Sequence, residues 1–298
     1  MADHLARTLA AEAGVRGLAA VTTELVEEAR RRHGTFPTAT AALGRALTAA
    51  LLLGGLAKDG ARVSLEFSGD GPLGSILVDA TPDGDVRGYV SRPRTDLPPR
   101  AGKLDVGGAL GRGLLCVLRI PPGEAVPYRG IVPLVSGEIA SDVASYLVDS
   151  EQTPSVVGIG VFVNPDGSVG AAGGYLLQTL PDADACIIDR LERNVSASEP
   201  PTELVRRGLG AGDILGTLLA GFPARVLEER VVRFRCRCNR ARVEAAVVAM
   251  GRAEMQDLLT TERRTELVCE FCGERYLLDE AELRALLDAA GATPGERS

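Results

Sequence analysis

The sequence predicts an α+β fold in three parts, namely an N-terminal mixed α/β-sheet domain with an internally duplicated hairpin, a helical linker and a small C-terminal four-cysteine domain. Patterns typical of strands and of helices occur in blocks along the chain, which favours α+β over a βαβ arrangement. Two similar Pro-Asp-Gly segments lie far apart, and four of the six cysteines lie close to the C-terminus. The chain has 298 residues and is 45% hydrophobic, so it can bury a substantial core.

Two helices are predicted near the start of the chain, over residues 19–33 and 37–53. The first contains TELVEEARRRHG, whose acidic start, basic end and following glycine suit the helix dipole and a helix stop. Thr38 or Thr40 is the candidate N-cap of the second helix, and a glycine pair marks its end.

Two hairpins are predicted from alternating residues around turn signals, in GSILVDATPDGDVRGYV and in GIGVFVNPDGSVGAAGGYLLQTLP. The similarity of TPDGDVRG and NPDGSVGA suggests an internal duplication within one domain. A helix is predicted between the hairpins, from about Glu138 to Ser150. The segment GDGPLG matches G-x-G-x-x-G, but a strand follows it where a dinucleotide site needs a helix, so we interpret it as a turn.

The region after the second hairpin is predicted to be a metastable amphipathic helical linker. Its short apolar stretches are interrupted by SASEPP and GLGAG. Each stretch has low intrinsic helix stability and needs another surface to pack on. Further helices are predicted at about 241–249 and after Asp279, which forms a capping box with Glu282. The predicted parts of the chain are residues 1–180 (N-terminal domain), 181–232 (linker), 233–290 (C-terminal domain) and 291–298 (tail).

The C-terminal cysteines form a C-x-C pair, Cys236 with Cys238, and a C-x-x-C pair, Cys269 with Cys272. Four thiolates suit one tetrahedral zinc ion, with zinc–sulfur bonds of about 2.3 Å. The two sulfurs of C-x-C point to one side of an extended strand, and Gly273 suits the tight turn of a zinc knuckle. Together the pairs predict a zinc domain in which all four cysteines bind a single ion.

The predicted zinc can be structural or part of a redox switch. Closed four-sulfur sites are usually structural. However, positive charge favours the oxidisable thiolate over the thiol, which predicts a thiolate-stabilising role for Arg235, Arg237 and Arg240. The same arginines could instead lie on a solvated face or neutralise the charge of the site. Cys116 and Cys186 lie in apolar contexts and are predicted to be small core residues.

The composition argues against several other classes of function. The formal net charge is −7, whereas nucleic-acid-binding proteins usually carry an excess of basic residues. The N-terminal MADHLARTLA is charged where a signal peptide is apolar, and the longest apolar run, ALTAALLLGGLA, is shorter than the roughly 20 residues of a membrane helix. The sequence has no Walker or G-x-S-x-G motif. We therefore expect a soluble, cytoplasmic protein that binds neither nucleic acid nor membranes and that lacks the residues for ATP-driven work and serine hydrolysis.

Beyond the cysteines, four segments resemble those of the 33-kilodalton heat-shock chaperonin family of redox-regulated holdases, in the order of that family. These segments are SGDGPLG, YRGIVPL, SEQTPS and GGYLLQTLP. The stretch NRARVEAAV after C-x-C departs from the family pattern and affects the detail expected of the zinc domain. The resemblance implies an ATP-independent chaperone that is inactive while its cysteines are reduced and bind zinc.

The resemblance also implies the consequence of oxidation. Two disulfides form, Cys236 with Cys238 and Cys269 with Cys272, and the zinc ion is released. The C-terminal region then unfolds and exposes apolar surface that binds unfolded client proteins. The family further implies a homodimer in the oxidised state.

Two alternatives from other classes stay open at this point. A zinc-stabilised module could bind RNA or a protein partner without redox switching, although the acidic balance and the lack of interleaved aromatic residues count against RNA. A thiol–disulfide oxidoreductase could use CEFC, but that motif normally accompanies a βαβ pattern, which the sequence does not show.

Overall fold

The computed structural model describes residues 2–57, 60–123, 126–180, 184–261 and 264–291. The chain divides into two units, Met1–Arg235 and Cys236–Ser298. The strands described in the first unit are β1 (His4–Ala10), β2 (Val15–Val21), β3 (Arg62–Gly69), β4 (Ser75–Ala80), β5 (Asp85–Val90), β6 (Gly113–Ile120), β7 (Tyr128–Pro133), β8 (Ser155–Val163), β9 (Val169–Thr179), β10 (Arg225–Val231) and β11 (Arg233–Phe234). The helices described there are α1 (Thr23–His33), α2 (Pro37–Leu56), α3 (Val106–Leu110), α4 (Ala140–Asp149), α5 (Ala185–Ala197), α6 (Pro201–Arg206) and α7 (Ala211–Leu218). The second unit contains α8 (Arg240–Met250), α9 (Arg252–Thr261), β12 (Arg264–Val268), β13 (Arg275–Asp279) and α10 (Glu280–Gly291).

Two sheets and one long helix form the core of the first unit. The strand order is β10–β1–β2–β9–β8 in the five-stranded sheet and β11–β5–β4–β3–β6–β7 in the six-stranded sheet. The helix α2 packs against strands of both sheets and shares one apolar cluster with them. The helix α2 is long and apolar enough to cross a membrane, but 94% of its apolar 18-residue segment is buried inside the protein. It is therefore the core helix of this unit, and the predicted α+β fold is confirmed.

The start of the chain forms strands where the sequence predicts the beginning of a helix. Residues 19–21 belong to β2, and α1 begins at Thr23, so the predicted start is wrong. β2 pairs along its whole length with β1 and with β9, and this pairing outweighs local preference. The predicted glycine stop is confirmed, because Gly34 adopts a left-handed conformation and its N–H donates to the Arg30 carbonyl.

The second predicted helix is confirmed, but a threonine does not cap it, and its predicted end at the glycine pair is wrong because the helix continues through Gly54 and Gly55 to Leu56. The helix α2 begins at Pro37, a residue favoured in the first turn because its missing N–H is not needed there. The Thr38 hydroxyl donates to the Asp96 carboxylate at 2.8 Å, and the Thr40 hydroxyl donates to the Thr35 carbonyl at 3.2 Å. Both threonines therefore fix neighbouring loops.

Both predicted Pro-Asp-Gly hairpins are present, and their turns are alike. In the β4–β5 turn the N–H of Gly84 donates to the Thr81 carbonyl at 3.1 Å, and in the β8–β9 turn the N–H of Gly167 donates to the Asn164 carbonyl at 2.9 Å. Gly84 and Gly167 have φ values of 85° and 86°, which glycine adopts without steric cost. The two hairpins lie in different sheets of one unit. The G-x-G-x-x-G segment is a turn between β3 and β4, as predicted.

The linker packs against the five-stranded sheet. Apolar side chains of α5, α6 and α7 join those of β1, β2 and β9 in a second apolar cluster. α6 has 6 residues and α7 has 8, so neither is long enough to be stable alone. The linker is helical only as far as α7, because Arg225–Val231 extends the sheet as β10 by pairing with β1. A strand forms here because the backbone of β1 offers a ladder of hydrogen bonds that the local sequence does not reveal.

At the end of the linker the chain passes directly from one sheet to the other. β10 pairs with β1 in the five-stranded sheet, and β11 pairs in parallel with β5 in the six-stranded sheet. Only Val232 separates these strands, and its side chain is buried. The guanidinium groups of Arg233 and Arg235 lie 2.6 and 3.6 Å from the Asp85 carboxylate. The segment from β10 to Arg235 thus joins the edges of both sheets immediately before Cys236.

The two cysteines outside the four-cysteine set differ from each other. Cys116 is half-buried on β6, where Nε of Arg129 donates to its sulfur at 3.4 Å. Cys186 is exposed on α5, because this helix directs Leu191 toward the second apolar cluster. The predicted core position is wrong for Cys186, and Cys116 reaches only half-burial.

A buried aspartate shapes the loop before α4. The Asp142 carboxylate accepts hydrogen bonds of 2.8–3.2 Å from the backbone N–H groups of Val135, Ser136, Gly137 and Ile139. Ile139 has a φ of 65°, a conformation that is unfavourable for a β-branched residue. The four hydrogen bonds to Asp142 therefore hold a strained turn in place.

Replacing Asp142 by alanine is expected to lower the free energy of unfolding by about 3–5 kcal/mol, since buried N–H groups lose a charged acceptor while the strain at Ile139 remains. Urea titration followed by circular dichroism measures this change. Asp149→Ala is the matched control, because Asp149 is exposed at the end of the same helix. Equal effects of the two substitutions would contradict the assigned role of Asp142.

Candidate metal centre

The C-x-C pair lies between β11 and α8. Asn239 follows it directly and caps α8, because its side chain accepts the backbone N–H of Arg242 at 2.9 Å. The Arg242 guanidinium in turn donates to the Arg237 carbonyl at 3.2 Å. The start of α8 therefore fixes the backbone on both sides of Cys238, and the predicted helix in this region is confirmed.

The C-x-x-C pair lies on the tight turn between β12 and β13. The N–H groups of Cys272 and Gly273 both donate to the Cys269 carbonyl, at 3.2 and 2.7 Å, and the N–H of Cys269 donates to the Glu274 carbonyl at 2.9 Å. Gly273 has a φ of 69°, as the sequence predicts for a knuckle glycine. The turn brings both of its sulfurs to one side.

The sulfur atoms of all four predicted ligands lie in one cluster. These Sγ atoms lie within 4.8 Å of one another, with 3.8 Å between Cys236 and Cys269 and 3.4 Å between Cys238 and Cys272. Four sulfurs bound tetrahedrally to one ion at about 2.3 Å would lie about 3.8 Å apart. The cluster can therefore hold one metal ion, and an all-sulfur donor set suits zinc.

The burial and close spacing of the four sulfurs favour binding of a cation. Burial raises the pKa of Cys269 and Cys272 above that of an ordinary thiol, and the neighbouring sulfurs of Cys236 and Cys238 act in the same direction. Four thiolates this close would repel one another in the absence of a counter-charge. A divalent metal ion would supply that charge and bind the deprotonated sulfurs.

A tyrosine that the sequence analysis did not identify also touches the cluster. The Tyr276 hydroxyl donates to the Cys238 sulfur at 3.1 Å, and this hydrogen bond raises the pKa of the phenol. Tyr276 is the only tyrosine C-terminal to Cys236, and it follows the C-x-x-C turn closely. Those two facts are the signal that could have drawn attention to it.

The three arginines predicted to stabilise thiolates form other contacts in the structure. Arg235 pairs with Asp85 within the first unit. Arg240 pairs with Glu244 at 3.0 Å and with Glu282 at 2.5 Å. Arg237 accepts a hydrogen bond through its carbonyl, as described above. An effect of these arginines on the cysteine thiolates stays a prediction.

The second unit has a small apolar core of its own. The cluster described there contains five buried residues, Val247, Met255, Leu278, Leu283 and Leu287. The predicted capping box of the last helix is confirmed, since Asp279 and Glu282 each accept the other's backbone N–H. A core of this size rarely stabilises a domain alone, and small domains often depend on a structural metal.

These observations define a class of protein with an α+β unit, a linker that is helical as far as α7, and a small second unit whose four clustered cysteine sulfurs can hold a metal ion. A sequence model of the family described as "Hsp33 protein" matches residues 3–279. The chain belongs to this family.

Curated relatives and a solved structure agree with this assignment. The chain is 45% identical over 287 residues to a 33 kDa chaperonin from Geobacter sp. (strain M21), covering 96% of the chain and 97% of the relative. It is 44% identical over 289 residues to the 33 kDa chaperonin of Bacillus subtilis (strain 168), covering 96% and 98%. The crystal structure of the 33 kDa chaperonin from Thermotoga maritima matches with a TM-score of 0.90 at 34% identity, covering 97% of this chain and 99% of that one.

Family membership supports a chaperone function for this chain. Chaperones of this kind bind unfolded client proteins, and the relatives are named chaperonins and not enzymes. The resemblance stated from the sequence alone is thereby confirmed.

Proposed function

We propose that this protein is a cytoplasmic, ATP-independent holdase, not an enzyme, that oxidation activates. The observation that carries the proposal is the convergence of four sulfurs in a unit with a small core. Zinc bound by Cys236, Cys238, Cys269 and Cys272 would keep this unit folded and the chaperone inactive. A zinc site can contribute on the order of 10 kcal/mol to the folding of a small domain.

Peroxide is the oxidant in the proposed activation step. Two molecules of peroxide take four electrons from the four thiolates and, with four protons, become four molecules of water, while two S–S bonds form and Zn²⁺ leaves. The proposed pairs are Cys236 with Cys238 and Cys269 with Cys272, as the family resemblance implies. Each disulfide closes a very short loop and constrains the unfolded chain little, so it cannot replace the stabilisation by zinc.

The linker connects this step to client binding. Only Arg235 separates Cys236 from β11, which has two residues, so a change of backbone at Cys236 would act on a short strand. The helices α6 and α7 depend on the five-stranded sheet for their stability, because they are too short to persist alone. Their release would expose the apolar faces of both the linker and the sheet, which is the surface we propose for unfolded clients.

Light scattering of a heat-unfolding client protein tests the proposal. We expect protein treated with peroxide and heat to suppress aggregation strongly, and the reduced, zinc-loaded protein to suppress it little. Reduction in the presence of zinc should reverse the effect, and size-exclusion chromatography should show a homodimer only after oxidation. If the oxidised protein suppresses aggregation no better than the reduced form, the redox switch is refuted.

A further inference from the structure

Tyr276 connects the two halves of the cysteine cluster without a metal ion. It lies on β13, where it pairs with Leu267 of β12 in the hairpin that carries C-x-x-C. Its hydroxyl reaches across to C-x-C and donates to the sulfur of Cys238 at 3.1 Å. One side chain from the second half of the site thus bonds to a ligand of the first half, 38 residues earlier in the sequence.

A hydrogen bond of this kind has two chemical consequences for a metal thiolate. A metal-bound sulfur keeps lone pairs that accept hydrogen bonds, and a bond to an ionised acceptor is stronger than one between neutral groups. Such partners orient the ligand, and losing one typically weakens metal binding about 10- to 100-fold. A hydrogen bond to the sulfur also withdraws electron density from it, and a less nucleophilic sulfur reacts more slowly with peroxide.

We propose that Tyr276 is a positioning residue of the metal centre whose hydroxyl holds the Cys238 sulfur in its ligating position and slows its oxidation. This inference rests on the proposed function, in which the four cysteines bind zinc. The role belongs to the hydroxyl and not to the ring, because the oxygen makes the contact with sulfur. Tyr276→Phe keeps the ring and removes only this donor.

Cobalt substitution separates the hydrogen bond from a general effect on folding. In the full-length protein loaded with Co²⁺, Tyr276→Phe is expected to move the sulfur-to-cobalt charge-transfer band to longer wavelength, because the sulfur lone pair is no longer stabilised by a donor. Tyr128→Phe is the matched control, since the Tyr128 hydroxyl lies in the first unit beside Ser150. Its spectrum should equal that of the parent protein.

Zinc binding and release provide the quantitative test. Competition with a chromophoric chelator should show zinc binding weakened about tenfold in Tyr276→Phe, and peroxide should release zinc several-fold faster than from the parent protein. An unchanged cobalt spectrum together with unchanged zinc affinity and release rate would overturn this inference and leave the proposed function intact. A parent protein that binds no zinc at all would instead overturn both.

Discussion

Replacing Cys272 by serine is expected to abolish tight zinc binding and to unfold most of the second unit. Cys272 is the one buried cysteine among the four of the cluster, with 2% of its surface exposed. A serine there would lack a thiolate and place a hydroxyl in a site shaped for sulfur. The small apolar core of the second unit cannot offset a loss on the order of 10 kcal/mol of metal-linked folding free energy.

Three measurements check this expectation. Metal analysis after gel filtration should find little zinc in Cys272→Ser. Far-ultraviolet circular dichroism should lose the signal of α8, α9 and α10. A low concentration of protease should cleave the chain at sites C-terminal to Arg235. Cys116→Ser and Cys186→Ser are the matched controls, because neither sulfur belongs to the cluster, and both should keep zinc. Full zinc content and unchanged helicity in Cys272→Ser would refute the dependence of this unit on the metal.

Replacing Leu215 by aspartate is expected to produce a chaperone that works without oxidation. Leu215 lies on α7 with 1% of its surface exposed, and it packs so closely on Gly17 of β2 that a Cβ atom at Gly17 would come within 2.8 Å of it. Burying an unpaired carboxylate in this apolar cluster would cost several kcal/mol. A helix of eight residues is too short to offset that cost, so α7 should leave the sheet.

The hydrogen bonds at both ends of α7 show what this release has to overcome. Nε2 of His4 accepts the N–H of Ala211 at 3.0 Å. The Asn194 amide donates to the carbonyls of Leu218 and Ala220, both at 3.0 Å. These neutral hydrogen bonds contribute about 1 kcal/mol each, which is less in total than the cost of the buried charge.

Reduced, zinc-loaded Leu215→Asp should suppress client aggregation in light scattering and should be cut by protease between residues 184 and 235. Thr217→Asp is the matched control, because it places the same charge on the exposed side of the same helix. It should stay inactive until oxidised. If Leu215→Asp behaves like Thr217→Asp, the apolar face of α7 is not what restrains the chaperone.

The sequence was sufficient to predict the features that depend on short spacings. The four cysteines, the knuckle turn at Gly273 and the two Pro-Asp-Gly turns each follow from a few neighbouring residues. The strands β10 and β11 could not be predicted in the same way, because each is stabilised mainly by backbone pairing with a partner that is distant in sequence. From its own residues LEERVVRF is only an amphipathic stretch. Its assignment to two strands follows from the structure, in which β1 and β5 lie beside it.

The metal centre shows the same limit. Spacing identified the ligands, whereas the partners of the ligands depend on the fold. Tyr276 and Cys238 meet only because the β12–β13 hairpin and the start of α8 converge. Arg235 illustrates the opposite case, since proximity in sequence suggested a thiolate partner and the structure provides Asp85.

The passage of the chain from one sheet to the other at Val232 affects how steeply the protein would respond to an oxidant. Because one buried residue separates the two edge strands, detachment of either strand should destabilise the other. We therefore expect β10 and β11 to detach together or not at all. Individual molecules would then switch on or off, and a growing dose of peroxide would change how many are active and not how active each one is. Opening would also leave the edges of β1 and β5 without partners at the same moment, giving an extended client segment two backbone templates to pair with.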